Sequence, residues 1–130
     1  DPALEMDSYP GLLAQVLTNL TMNAIIHAFE GREGGRVQLA VEHANDWLTL
    51  MFTDNGPGIS EQHLGRIFEP FFTTRRGQGG TGLGLHIVYN IVTQQLGGTI
   101  TVHNQDGGGA CFTICIPRVA PRVADAVKTV

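Results

Sequence analysis

The stretch WLTLMFTDNGPGI, residues 47–59, joins an apolar strand pattern to a turn rich in glycine and proline. Apolar and polar residues alternate up to Asp54, as in a strand with one buried face. One interpretation of DNGPGI is an ordinary turn, because Asp, Asn, Gly and Pro are all turn residues. The other is a binding site: a carboxylate at a strand end can accept a hydrogen bond from an exocyclic amine such as adenine N6. Glycines beside it let the backbone approach a flat ring.

The chain as a whole has the size and composition of one globular domain. Its 130 residues are 42% hydrophobic and 15% charged, and a chain of this length buries about two thirds of its unfolded surface. A net charge of −4 gives no electrostatic reason to expect a nucleic-acid or anionic-membrane partner, so any bound phosphate must be held by local groups.

Two features of the sequence bear on where the domain resides. No apolar run approaches the ~18 residues of a membrane span, and no signal peptide opens the chain. The only cysteines, Cys111 and Cys115, lie in one strand pattern with their Cα atoms roughly 13 Å apart, too far for a disulfide. We therefore expect reduced core thiols in a cytoplasmic domain that does not enter a membrane, and we leave open whether a longer parent protein is membrane-anchored.

Before residue 60, the apolar pattern predicts one helix and one β-hairpin. The helix runs from Ser8, at or near its cap, to Phe29, with Pro10 in its first turn. RVQLAVEH and DWLTLMFTD then form a hairpin around the link Ala44-Asn45, and Asp54 ends its second strand.

After residue 60 the pattern repeats. Ser60 caps a short helix, EQHLGRIF, and residues 69–80 lack periodicity and are predicted to form a mobile loop. A second long helix starts at Thr81 and stops at Gly97-Gly98, and TITVHN and ACFTICIP form a second hairpin around a glycine-rich turn. This order predicts one α+β domain over residues 1–117, a two-layer sandwich with a mixed sheet covered on one face by helices, followed by a loose tail over residues 118–130.

A polar stripe runs along the first predicted helix. Its members recur every fourth residue and share one face: Gln15, Asn19, Asn23 and His27. A solvated face explains such a stripe on an amphipathic helix. Asparagine is a mediocre helix former, however, and a carboxamide oxygen can ligate a Mg²⁺ ion that substrate phosphates already neutralise. A metal and phosphate site is therefore the alternative interpretation.

The stretch GQGGTGLGL, residues 77–85, is a second candidate for binding. Its glycines match the spacing of a dinucleotide fingerprint, but no strand precedes them, and no P-loop pattern occurs in the chain. The stretch leads into a predicted helix at Thr81, where free N–H groups and the helix dipole favour phosphate oxygens.

Four motifs taken together resemble the N, G1, F and G2 boxes of the ATP-binding catalytic domain of sensor histidine kinases: NLTMNAIIHAF, DNGPGI, IFEPFFTT and GGTGLGL. The resemblance covers residues 12 to about 117. It implies the Bergerat ATP-binding fold of the superfamily that also holds gyrase, Hsp90 and MutL, with ATP and Mg²⁺ as ligands. It also implies transfer of the γ-phosphoryl group to a histidine on a separate dimerisation and phosphoacceptor domain, and a response regulator downstream.

The resemblance implies roles for individual residues. Asn23 would be the Mg²⁺ ligand, Asn19 would support the phosphates or the metal shell, and His27 would lie beside the phosphates or the sugar. Asp54 would bind adenine N6 in a pocket shaped by Gly56, Gly58 and Ile59. The phosphate side would be formed by Gly80, Thr81, Gly82, Leu83, Gly84 and Leu85. Phe68, Phe71 and Phe72 would be hydrophobic anchors of the loop, and the roles of Arg75 and Arg76 are left open between phosphate or partner contacts and solvated positions.

Two further features separate the possible reactions. In related ATPases the family pattern places a glutamate four residues before the metal-binding asparagine, whereas Asn19 stands at that position here and an amide cannot act as a general base. None of the five histidines lies in a phosphoacceptor context. A kinase domain that acts on a separate acceptor is the leading hypothesis. A Bergerat ATPase and a nucleotide-binding regulatory module are the alternatives.

Overall fold

The computed structural model describes residues 8–25, 34–72 and 84–120. Within these ranges the helices and strands follow in the order α1 (Pro10–Asn23), β1 (Val37–Ala44), β2 (Trp47–Asp54), α2 (Glu61–Leu64), α3 (Gly84–Asn90), β3 (Thr99–Asn104) and β4 (Ala110–Pro117). A π-helical segment, Ile91–Gln95, continues α3. The predicted alternation of helices and hairpins is confirmed.

The described strands form one sheet in the order β1-β2-β4-β3. All three pairings are antiparallel. The prediction of a two-layer α+β fold is confirmed, but the four described strands make an antiparallel sheet and not the mixed sheet that we expected. The reason is topological. The helical connection leads from β2 to β3 at the edge of the sheet, and the β3–β4 hairpin then places β4 between β3 and β2, antiparallel to both.

The core lies between the sheet and the helices. Leu48, Leu50 and Phe52 are buried along β2 while the residues between them are only half-buried, which is the period of two expected for a strand covered on one side. They form one apolar cluster with residues of both long helices, among them Leu20 of α1 and Val88 of α3. This arrangement places the end of β2 beside the helical layer.

The start of α1 differs in detail from the expectation. Pro10 occupies the first turn as predicted, but the N-cap residue is Tyr9, which makes no capping bond from its side chain. The hydroxyl of Ser8 is buried without a hydrogen-bond partner in the described residues. Ser8 is therefore not the cap, and the fixed φ of proline at N1 is what favours the helix start. The predicted end at Phe29 lies outside the described residues.

The second long helix ends as predicted. Gly97 has φ +76°, a left-handed conformation that suits glycine after a helix. A Cβ atom on Gly98 would lie 2.0 Å from the carbonyl oxygen of Cys115, so that close approach to β4 requires glycine as well. At the short helix α2, Ser60 is the N-cap residue as predicted, but its hydroxyl contacts Nδ1 of His63, at 2.9 Å, in place of a backbone N–H.

The cysteines are free, but they do not lie on the core side of the sheet. Cys111 and Cys115 pair with Thr53 and Thr49, the residues of β2 that alternate with its buried row. Both thiols therefore lie on the face opposite the helices, where they contact the threonine hydroxyls at 3.6 and 3.9 Å. The prediction of buried thiols is confirmed for Cys111, which is 3% exposed, whereas Cys115 is half-buried. Neither joins the cluster under the helices, because the bulkier Phe112 and its alternating neighbours occupy the helix side of β4.

The end of β4 continues into contacts with the first hairpin. The backbone N–H of Arg118 donates to the carbonyl oxygen of Asp46 over 2.8 Å, and Ala120 is buried. Residues 118–120, the first part of the predicted loose tail, thus contact the fold, whereas residues 121–130 lie outside the described ranges.

Candidate functional site

Asp54 is the only buried charged residue in the described part of the chain, with 6% of its surface exposed. One carboxylate oxygen, Oδ1, accepts hydrogen bonds from the backbone N–H groups of Gly56, at 2.9 Å, and of Ala110, at 3.2 Å. No described residue donates to the other oxygen, Oδ2. The side chain is therefore held in one orientation, and Oδ2 is available to a donor on a ligand.

The turn that follows Asp54 is tied to the chain before β1 by Asn55. The side-chain amide of Asn55 accepts from the N–H of Arg36 at 2.7 Å and donates to the carbonyl of Gly34 at 3.1 Å. Its own backbone N–H donates to the carbonyl of Arg36 at 3.2 Å. These bonds extend the β1–β2 pairing past Asp54 and fix the first residue of the turn.

The far end of the same turn is held by Asn104, the last residue of β3. Its Oδ1 accepts from the backbone N–H of Ile59 at 2.8 Å, and its Nδ2 donates to the carbonyl of Ile59 at 2.6 Å. Gly58 beside it has φ +84°, and a Cβ atom there would lie 2.7 Å from Oδ1 of Asn104. The turn thus requires glycine at position 58 both for its backbone conformation and for the space that Asn104 occupies.

The turn between β3 and β4 packs directly against the residues after β2. Gly109 has φ +95°, and a Cβ atom on it would lie 2.0 Å from the carbonyl oxygen of Asp54. Gly108 also approaches the turn, since a Cβ atom there would lie 3.6 Å from the carbonyl oxygen of Gly56. From the sequence, these glycines were expected only to form a hairpin turn. The run of three consecutive glycines at 107–109, more than a hairpin turn needs, was the available signal of a close approach.

The amides of α1 are the other half of the predicted site. Asn19 and Asn23 are half-buried, and Gln15, one turn earlier, is exposed. No described residue hydrogen-bonds the side-chain amide of Asn19 or Asn23, in contrast to the bonded amides of Asn55 and Asn104. Among the described residues these two amides therefore have no protein partner, and water or a ligand can take that place.

The structure brings part of the predicted site together and leaves part of it outside the description. Asp54, Gly56, Gly58 and Ile59 form one turn, and α1, which carries the asparagines, shares the core cluster with β2. Gly84 and Leu85 begin α3 and are half-buried. The remaining predicted residues lie outside the described ranges: His27, Arg75, Arg76, Gly80, Thr81, Gly82 and Leu83.

Two of the three F-box phenylalanines are anchors, as expected. Phe68 packs against Tyr89 and Phe112, with ring centroids 5.6 and 6.2 Å away. Phe72 lies under the guanidinium of Arg66, 4.8 Å from its ring centroid. Phe71 differs from these two, since it is 58% exposed and has φ +65°. A bulky side chain in that left-handed conformation is an outlier, and it turns the ring away from the core.

His86 links α3 to the F box, a contact that no motif in the sequence indicates. Its Nδ1 lies 3.1 Å from the carbonyl oxygen of Phe68, so Nδ1 carries the proton and donates. Its Nε2 lies 3.2 Å from Nδ2 of Asn90 and accepts from that amide. The histidine therefore links the F box, which precedes the segment 73–83 in the sequence, to α3, which follows it.

The described residues set limits on other kinds of site. They contain no group of three or more histidine, cysteine, aspartate or glutamate side chains placed to hold a metal ion. No helix within them has the length and hydropathy needed to cross a bilayer.

Comparison with known proteins identifies the family. The family described as histidine kinase-, DNA gyrase B- and HSP90-like ATPase matches residues 9–120. The chain is 47% identical over 111 residues to the sensor histidine kinase ZraS of Salmonella typhi, covering 85% of this chain and 23% of that protein. The chain thus spans about a quarter of the length of this relative.

Solved structures agree. The catalytic domain of the histidine kinase ThkA in a nucleotide-free form matches with a TM-score of 0.74 and 35% identity, over 86% of this chain and 71% of that one. Full-length ShkA in complex with AMPPNP matches with a TM-score of 0.70 and 32% identity, over 87% of this chain and 23% of that one. The fold, the buried aspartate and these matches lead to one conclusion: the chain belongs to the histidine kinase-, DNA gyrase B- and HSP90-like ATPase family, as an ATP-binding catalytic domain of the sensor histidine kinase type.

Proposed function

We propose that this domain binds ATP with Mg²⁺ and transfers the γ-phosphoryl group to a histidine on a separate dimerisation and phosphoacceptor domain. The observation that carries the proposal is the state of Asp54: a buried carboxylate held on one oxygen by two backbone N–H groups, with its other oxygen open to a donor. The solved complex of the relative ShkA with AMPPNP supports a nucleotide as the ligand.

Adenine fits the chemistry of the turn after β2. The exocyclic N6 amine donates hydrogen bonds, and a carboxylate oxygen only accepts them. Guanine presents a carbonyl oxygen at the equivalent position, which would face Oδ2 of Asp54 without a proton between them. The turn should therefore select adenine, with Gly56 and Gly58 allowing close approach of the backbone and Ile59 bordering the ring.

The triphosphate would lie toward α1. Asn19 and Asn23 carry half-buried amides that no described residue satisfies, and their oxygens suit a Mg²⁺ ion whose charge the phosphates largely neutralise. A metal ion held by these amides would supply positive charge against the negative charge that develops on the phosphoryl group during transfer. Asn23 is the proposed ligand, Asn19 would support the phosphates or the metal shell, and His27 would lie beside the phosphates or the sugar. Residues 80–85, at the glycine-rich approach to α3, would supply backbone N–H groups on the other side.

The proposed reaction needs positioning more than covalent help from the protein. A ring nitrogen of the acceptor histidine attacks the γ-phosphorus, the bond from that phosphorus to the bridging oxygen breaks, and ADP leaves with the electron pair. The histidine ring loses its proton to solvent. Since the amide of Asn19 cannot accept a proton from water, direct hydrolysis of ATP should be slow.

The acceptor histidine is proposed to lie on another domain. The relatives are longer than this chain, which spans 23% of ZraS, and their remaining length leaves room for an acceptor domain. A response regulator would then receive the phosphoryl group. We propose that the domain acts in the cytoplasm, where ATP and Mg²⁺ are abundant.

One measurement tests the function. The isolated domain is incubated with ATP and Mg²⁺, alone and with the purified dimerisation and phosphoacceptor domain of its own parent kinase or of ZraS, and both ADP release and acid-labile phosphoprotein are measured. Phosphoprotein that forms only with the acceptor supports the kinase. Rapid ADP release by the domain alone would indicate an ATPase, and nucleotide binding without either product would indicate a regulatory module.

A further inference from the structure

We propose that Asn104, at the end of β3, is a positioning residue for the nucleotide base, which acts by fixing the backbone of Ile59. This inference rests on the proposed function, because it takes Asp54 as the residue that binds the base. Asn104 lies 45 positions from Ile59 in the sequence and outside all four motifs of the site.

The contact has the form of a backbone pairing made by a side chain. Asn104 uses its acceptor and its donor on the N–H and the carbonyl of one residue, Ile59, at 2.8 and 2.6 Å. A single amide bonded in this way resists rotation of the Ile59 backbone in both directions. It thereby satisfies both polar groups of a residue that has no strand neighbour of its own in the described sheet.

The segment held by this contact would otherwise be loose. Asp54, Asn55 and the N–H of Gly56 are fixed by their own bonds, and Ile59 is the next residue along the chain whose backbone has described bonds. Between these points lies Gly58 at φ +84°. Glycine loses more conformational entropy on ordering than any other residue, so this part of the turn is costly to hold in place. Asn104 therefore closes the turn at the end farther from Asp54.

Asn104 and Gly58 depend on each other. Because a Cβ atom on Gly58 would lie 2.7 Å from Oδ1 of Asn104, the amide occupies the space that an ordinary side chain at 58 would fill. The half-buried side chain of Ile59 packs against the core cluster, so the position of its backbone sets one border of the ring pocket. A shift of Ile59 would move the bound adenine ring relative to Oδ2 of Asp54. The preference for adenine over guanine would then fall.

The experiment compares Asn104→Ala with Gln105→Ala, a control that removes an exposed amide from the neighbouring position. Dissociation constants for ATP and GTP are measured by calorimetry, and exchange of the Ile59 amide proton is followed by NMR without ligand. We expect Asn104→Ala to weaken ATP binding about tenfold and leave GTP binding unchanged, so that the preference for ATP falls by the same factor. Exchange of the Ile59 amide should rise at least about tenfold, and Gln105→Ala should change neither.

Two more variants separate positioning from general destabilisation. Asn104→Asp keeps the acceptor for the Ile59 N–H and should recover part of the ATP preference. Gly58→Ala should couple to Asn104→Ala, so that the double variant binds ATP better than the product of the two single effects predicts. An equal loss for ATP and GTP, an unchanged exchange rate at Ile59, or strict additivity of the two substitutions would each overturn the inference.

The outcomes for Asp54 and Asn104 can be told apart. If Asp54→Asn weakens ATP binding and Asn104→Ala does not, the proposed function stands and this inference fails. If the unaltered domain binds no ATP, both fail.

Discussion

The ring of His86 bridges α3 to the F box, with Nδ1 donating to the carbonyl oxygen of Phe68 over 3.1 Å and Nε2 accepting from Asn90. In the sequence, Phe68 precedes the segment 73–83 and His86 follows it. One imidazole therefore connects the residues before this segment with the helix after it.

Replacing this ring should destabilise the domain. His86→Leu keeps an apolar body of similar size but leaves the Phe68 carbonyl and the Asn90 amide without partners, which should lower the free energy of unfolding by about 1–2 kcal/mol. Urea unfolding at neutral pH measures the change. His103→Leu is the control, since His103 is exposed on β3. Equal midpoints for the two variants would mean that the bridge contributes nothing.

The carboxylate of Asp54 should be decisive for nucleotide affinity. Asp54→Asn can keep an acceptor at the position of Oδ1 for Gly56 and Ala110 but puts an amide donor where Oδ2 stood. We expect ATP binding to weaken by about 1.5–3 kcal/mol, because the open oxygen would no longer accept from adenine N6.

Calorimetry gives the affinity, and Asp46→Asn in the exposed turn of the first hairpin is the matched control. An affinity for ATP that matches the unaltered domain would remove Asp54 from the base site.

The amides of α1 should control the response to metal. Asn23→Ala should abolish the effect of Mg²⁺ on nucleotide affinity, because the proposed ligand oxygen is lost. The control is Gln15→Ala, which should leave the effect intact because Gln15 is exposed and lies two turns before Asn23 on the same face of α1. ATP titrations with Mg²⁺ and with EDTA measure the difference. Full sensitivity to Mg²⁺ in the Asn23 variant would place the metal on other ligands.

The close approach of the β3–β4 turn to Asp54 gives a stability prediction. Gly109→Ala introduces a Cβ atom 2.0 Å from the Asp54 carbonyl oxygen as well as a left-handed alanine, whereas Gly107→Ala meets open space and bears only the conformational term. We expect about 1–2 kcal/mol of destabilisation at 107 and clearly more at 109. Urea unfolding measures the free energy of unfolding of both variants. An equal loss of stability at 107 and 109 would show that the contact with Asp54 relaxes without cost.

Much of the fold was predictable because local patterns determine it. Alternation along β2 and the turn signal near Asn45 defined the first hairpin, although the turn lies at residues 45–46 and not at the expected link Ala44-Asn45. The apolar periods defined both long helices. Strand direction was not predictable in this way. Nothing local in β4 indicates that it pairs antiparallel with β2, and the expected mixed sheet was wrong for that reason among the described strands.

The same distinction between local and long-range information applies to the residues of the candidate site. Asp54 was predictable, since it ends a strand and a glycine-rich turn follows it. Asn104 and His86 were not, because their partners lie 45 and 18 positions away and their bonds are to backbone atoms, which leave no mark on the identity of the partner residue. The exposure of Phe71 was missed because a left-handed backbone at a bulky residue has no sequence signature.

The three glycines 107–109 have φ values of +87°, +111° and +95°, yet only the last is also crowded. At 107 only the left-handed backbone disfavours other residues. Asparagine, which adopts that backbone conformation more readily than most side chains, should be tolerated there. At 109 both handedness and space exclude every side chain. Selection from a randomised library would therefore recover asparagine beside glycine at the outer tip of this hairpin and glycine alone where it touches the strand end, a gradient of tolerance across only three consecutive codons.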